Sequence, residues 1–187
     1  MNRPSRILII FAISAAEAAS RVRNPQNTAN GSKPGAFADD HAGTRIFNRL
    51  TDTLMKKTRV PLRLPTFVPD GDDEAPIFAS LESASAESYQ VELAWKENCG
   101  GGDACHYGTV RGSAGPLIEE GRHRSAVILA RGIKGYFVGF KCGAHCDDSS
   151  VGWTERGYHY AISVKAGKVK ELIQMANSAI TGRAAGS

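Results

Sequence analysis

Tyr89-Gln90-Val91-Glu92-Leu93-Ala94-Trp95 sets its large apolar side chains on alternate positions. That is the period of a strand with one face buried and the other open. Tyr158, Tyr160, Ile162 and Val164 repeat it, and Tyr136, Val138 and Phe140 carry it a third time, so each run predicts a strand with that set turned inward. Ala126-Val127-Ile128-Leu129-Ala130 is apolar throughout and predicts a central strand covered on both faces. Gly132, Gly135 and Arg156-Gly157 punctuate these runs. Such short separations imply hairpins, and hairpins imply a mostly antiparallel sheet. Val60-Pro61-Leu62-Arg63-Leu64-Pro65 holds two prolines and suits an edge strand, and residues 77–81 predict one more short strand.

On either side of these strands the period becomes helical. Ile46, Phe47, Leu50 and Leu54 recur at helix spacing, with Thr44 as N-cap, Lys56 and Lys57 in the last turn and Pro61 beyond. Cations favour that end of the helix dipole. Val169, Leu172, Ile173, Ala176 and Ile180 form a second stripe, closed by Gly182. Both stripes read as core faces. The expectation is an α+β fold over residues 43–182: a single mostly antiparallel β-sheet with an N-terminal and a C-terminal helix packed on it.

A chain of 187 residues is about one domain. Its net charge of +4 is too small and too scattered to demand nucleic acid. Arg122-His123-Arg124 follows Glu119 and Glu120, while Lys165, Lys168 and Lys170 stand beside Glu171. Mixed signs read as a solvated surface rather than a basic stripe.

Arg3 and Arg6 precede an apolar run from Ile7 to Ile13, and Ala16-Glu17-Ala18 supplies small residues before a cut. This reads as a secretory signal peptide over residues 1–18. The run is too short to span a bilayer, so the processed chain is expected to be periplasmic or secreted. Residues 19–42 are rich in Pro, Gly, Ser and Asn, with Phe37 alone among aromatics, and read as a flexible tail. Residues 183–187 read as a disordered C-terminus.

Four cysteines form the one cluster with chemical content. Cys99 and Cys105 bracket Gly100-Gly101-Gly102-Asp103-Ala104, and Cys142 and Cys146 bracket Gly143-Ala144-His145. An even count in an exported chain reads first as two disulfides. Four cysteines allow three connectivities; glycine in both short loops favours the two local pairs. The competing reading is a zinc site of Cys99, Cys105, Cys142 and Cys146, with His106 or His145 as substitutes. Its spacings, with five and three residues between ligands, sit at or beyond the edge of the usual zinc pattern.

Catalytic sets do not assemble, and no cofactor is expected. Gly112-Ser113-Ala114-Gly115 follows Arg111 where a nucleophile elbow needs Gly. The glycine triplet at 100–102 lacks the Lys and Ser/Thr of a phosphate loop. His41, His106, His123, His145 and His159 share no ligand spacing and read mostly as surface residues. Asp147-Asp148-Ser149-Ser150 reads as a solvated turn before a cation site.

The order of pieces from Val60 to Ile180 resembles a group of uncharacterised exported bacterial proteins with paired cysteine motifs. The residues that carry it are 60–65, Cys99 with Ala104-Cys105, Gly135-Tyr136-Phe137, Cys142-Gly143-Ala144-His145-Cys146, Trp153 with Gly157-Tyr158-His159-Tyr160, and Ala176-Asn177-Ser178-Ala179-Ile180. The last two segments are distantly similar to domains of extracytoplasmic lipoproteins and sigma-factor regulators, in which the paired cysteines are not general. The resemblance implies binding or regulation at the cell envelope and carries over no catalytic residue. The expected role is non-catalytic, with an envelope protein or glycan as partner and Trp95, Trp153, Tyr136 and the cysteine loops as candidate contacts; Trp95 itself reads rather as core. The alternative is the small zinc protein.

Overall fold

Alternation along the chain builds a sheet with one face in the hydrophobic core. A computed structural model describes residues 41–69, 76–100, 102–115, 123–143 and 146–182, with side chains from Arg45 onward. The expected signal peptide, the tail up to residue 40 and residues 183–187 lie outside them. The strands are β1 (Phe78–Ser85), β2 (Ser88–Ala94), β3 (His106–Ser113), β4 (Arg124–Ile128), β5 (Lys134–Val138), β6 (Lys141–Cys142), β7 (Cys146–Asp147), β8 (Ser149–Glu155) and β9 (Tyr158–Val164). Seven of them form one sheet in the order β1-β2-β3-β9-β8-β5-β4, while β6 and β7 pair separately. Every pairing is antiparallel.

Register explains the core. Val91, Val110, Ile162, Val151 and Phe137 line up across β2, β3, β9, β8 and β5. Burying each such side chain contributes about 1.5–3 kcal/mol. The adjacent row reads Tyr89, Gly112, Tyr160, Trp153, Gly135. Glycine at 112 is required because a Cβ there would run into the Tyr89 ring. Trp153 stacks on Tyr160 with ring centroids 5.4 Å apart. Helix α1 (His41–Lys57) supplies Phe47 and Leu54 to this cluster, and α2 (Val169–Thr181) supplies Leu172, Met175, Ala176, Ala179 and Ile180. The Glu171 carboxylate accepts from the Lys168 N–H at 3.4 Å and closes the first turn of α2.

Several sequence expectations are corrected. Helix α1 begins at His41, three residues before the expected cap Thr44. The apolar run 126–130 is not central. It forms most of the edge strand β4, where Ile128 is 67% exposed; the chain then turns so that Leu129 is buried in the core. The central position belongs to β9, in which every residue from Tyr160 to Val164 is buried. Tyr136, Val138 and Phe140 do not face the helices; Gly135 and Phe137 hold that side of β5 and its register.

Residues 60–65 are not an edge strand either. They form an extended strap over the core, with Val60 and Leu62 buried. Prolines keep the strap out of a ladder, so side chains tie it down instead. The Tyr89 hydroxyl accepts from the Arg63 N–H at 3.0 Å, and the Tyr160 hydroxyl donates to the Pro61 carbonyl at 3.1 Å. Burial pushes the Tyr160 hydroxyl up to about 12, so it stays a donor at neutral pH. Arg63 makes two hydrogen bonds to Glu155, at 2.8 and 2.9 Å.

Candidate functional site

The first candidate is created by a single irregularity. By simple alternation His106 would share the core face with Gly108 and Val110. The β2–β3 register instead slips between Leu93 and Ala94, so Leu93 faces Gly108 but Ala94 faces His106. A bulge of this kind re-aims side chains. His106 moves to the helix-free face and Tyr107 moves into the core. There Tyr107 meets Trp95 edge-on at 4.8 Å and donates to the Pro69 carbonyl at 2.9 Å.

On the helix-free face His106 stands between two carboxylates. Its Nε2 lies 3.0 Å from Asp148 Oδ2, and its Nδ1 lies 3.8 Å from Glu92 Oε1, too long for a hydrogen bond. Ser163 donates to the same Asp148 oxygen at 3.2 Å, and Thr109 and Ser163 share a bond of 2.8 Å. Ser80 donates to the other Glu92 oxygen at 3.4 Å, while Oε1 is buried without a hydrogen bond. The Asp148 hydrogen bond, then the neighbouring negative charges, raise the His106 pKa against partial burial.

Sequence reading missed this cluster. Asp148 is not part of a solvated turn: Ser149 and Ser150 beside it are buried and open β8. Glu92 looked like the polar half of an amphipathic strand. The available signal was a charged residue between the apolar Val91 and Leu93, but its ionic partner His106 lies 14 residues on in sequence and Asp148 a further 42.

The cluster has the ingredients of acid–base chemistry without its arrangement. Asp148 accepts from both His106 and Ser163, so the imidazole does not face a hydroxyl it could deprotonate. Among the described residues no group of three or more His, Cys, Asp or Glu stands ready to hold a metal.

Both disulfides lie beside this cluster. Cys99 is bonded to Cys105, immediately before His106, and Cys142 to Cys146, two residues before Asp148. The local connectivity is therefore the one present. The zinc reading is corrected by it, because all four sulfurs are consumed in disulfides and no thiolate remains. The first loop is anchored: Trp95 N–H donates to the Cys105 carbonyl at 2.8 Å, and Lys165 Nζ to the Asp103 carbonyl at 2.6 Å. The second disulfide closes the β6–β7 ladder, whose four residues Lys141, Cys142, Cys146 and Asp147 are exposed. His145 lies outside the described residues.

The expected aromatic contacts separate cleanly. Trp153 is in the core at 4% exposure, and Trp95 is a partly buried residue that packs on the core cluster beside Tyr107. Tyr136 is 51% exposed on the helix-free face. It borders an open groove of about 600 Å³ between β5, β8 and β9, lined also by Arg124, Lys134, Gly152, Thr154 and His159. His159 Nδ1 and the Thr154 hydroxyl are hydrogen-bonded at 3.0 Å.

No family model, curated protein or solved structure matches the chain. Among the described residues no helix is long and apolar enough to cross a membrane. What is established is a disulfide-bonded α+β domain whose cysteine chemistry fits an oxidising compartment.

Proposed function

We propose that this protein is an exported, non-catalytic binding domain of the cell envelope, periplasmic or secreted, that engages its partner through the helix-free face of the sheet. The observation that carries the reading is Tyr136, a half-exposed ring bordering a groove on a face that no helix of the described residues covers. Large exposed aromatics that adjoin a concavity are typical binding anchors. The two disulfides support export, and the basic, apolar, small-residue order of positions 1–18 supports the same route. The cluster around His106 supports a structural rather than catalytic role, since its hydrogen bonds join the approaches to β3 and β8.

The test has two arms. Full-length chain expressed with its own N-terminus in a Gram-negative host is expected in the periplasmic fraction. Its non-reduced mass should fall about 4 Da below that of the reduced form, one hydrogen per bonded sulfur. Recovery in the cytoplasm with four free thiols overturns export. A photocrosslinking residue placed at Tyr136 in the same cells is expected to capture an envelope component that one placed at exposed Ser83, near the opposite edge of the sheet, does not. Equal capture at both positions overturns the assignment of the face.

A further inference from the structure

One cross-strand row of the helix-free face is unlike its neighbours. Tyr136, Gly152 and Ala161 stand side by side on β5, β8 and β9. The sequence of side chains is a half-exposed ring, then none, then a single methyl group. A trough results beside the ring, with Lys134, Thr154 and His159 one step along the strands and Arg124 also on its wall. Its volume of about 600 Å³ lies within the usual range of ligand sites, roughly 300–1,000 Å³. Two full cations line it, and among the described residues no carboxylate does.

We infer that this trough binds a sugar ring bearing a carboxylate, as in an acidic glycan. The inference rests on the helix-free face being the binding surface and specifies the ligand class. The flat floor and the Tyr136 ring accommodate the C–H face of a pyranose, whose positive edge suits the negative face of an aromatic ring. Lys134 supplies charge for the carboxylate, and Arg124 stands on the same wall. Thr154 and His159 are bonded to each other through Nδ1, which leaves His159 Nε2 for a ligand hydroxyl.

A peptide fits the trough less well. An extended peptide satisfies its backbone by adding to a free strand edge. Beneath the trough β8 is paired with β5 on one side and β9 on the other, so no ladder is open there. A sugar brings its own donors and acceptors and needs only side-chain partners.

The test is a titration of the ¹⁵N-labelled full-length chain, monitored by amide shifts. The probes are trigalacturonic acid, neutral maltotriose and triglutamate. Trigalacturonic acid is expected to shift Tyr136, Gly152 and Ala161, with at least fivefold tighter binding than either other probe. Lys134→Gln should weaken it about fivefold and Tyr136→Ala about tenfold, with the remaining spectrum unchanged. Raising the salt concentration should weaken it as well. Equal shifts by maltotriose at the same amides overturn the acidic class but leave the face as a binding surface. A preference for triglutamate makes the ligand a peptide and overturns the glycan assignment. No shift at these amides with trigalacturonic acid, or shifts confined to other regions, overturns the inference, whereas crosslinking at Tyr136 decides the face independently.

Discussion

Strand β8 carries a carboxylate at each end, and the two could hardly be set differently. Glu155, its last residue, lies on the core side and is gripped by Arg63 through two hydrogen bonds, with both side chains about nine-tenths buried. Asp148, just before its first residue, lies on the helix-free side. It meets an imidazole and a hydroxyl, with its side chain about one-fifth exposed. One end pairs a carboxylate with a permanent cation; the other pairs it with a cation that titrates. The first pins the strap to the sheet under all ordinary conditions. The second joins two disulfide loops with a strength that depends on pH.

The sharpest way to break this comparison is to remove a carboxylate from the buried end. Glu155→Ala leaves the Arg63 guanidinium buried without its partner, which costs about 3 kcal/mol. The double change Arg63→Met with Glu155→Leu removes both charges and should return stability to within about 1 kcal/mol of the parent. Urea unfolding of the three proteins measures both values. A loss below 1 kcal/mol for Glu155→Ala would mean that water reaches the pair and that the strap is held by its prolines and tyrosines alone.

The disulfides offer the next contrast. Replacing Cys99 and Cys105 together by serine should cost about 2 kcal/mol by the chain-entropy model. That loop is bonded to Trp95, the residue after β2, and to Lys165, so opening it also loosens His106. Replacing Cys142 and Cys146 together should cost less, under about 1 kcal/mol. Among the described residues its exposed ladder forms a separate two-stranded sheet, which can fray locally without global unfolding. Thermal melts of the two double variants test the ranking. Equal losses would show that both loops act on the unfolded chain alone.

Most of the framework was legible because it depends on local periodicity. Tyr89, Val91 and Leu93 face inward as their spacing demands, as do Tyr158, Tyr160, Ile162 and Val164, and the α2 stripe does so at Leu172, Ile173, Ala176 and Ile180 but not at Val169, which is exposed. The failures have specific causes. Residues 126–130 are apolar enough for a central strand, yet strand order is a long-range property that composition does not encode. Tyr136 and Val138 alternate correctly but on the opposite face, because glycine at 135 hides which side is the core. The candidate sites were less legible still. His106 depends on a one-residue slip, and the trough beside Tyr136 depends on a glycine and an alanine that carry no chemical signature of their own.

That same slip sets up the smallest and most informative effect, the pH dependence at the open end of β8. The folded pKa of His106 lies above its ordinary 6.5, chiefly through the Asp148 hydrogen bond. Its contribution is therefore full below pH 6.5 and is lost as pH rises through the folded value. Glu155 behaves oppositely. Arg63 holds its pKa below the ordinary 4.5, so its contribution is full above 4.5 and is lost as pH falls through the folded value. Stability should thus decline on both sides of a window between these limits, through different ends of one strand. The alkaline step should be about 1 kcal/mol, the scale of a charge-assisted bond partly open to water. His106→Gln should abolish it and leave the acidic step intact, because a glutamine keeps a neutral donor toward Asp148 but has no proton to lose. Urea midpoints measured from pH 3 to 9 separate the two. If the alkaline step survives in His106→Gln, the loops are held by something other than the imidazole.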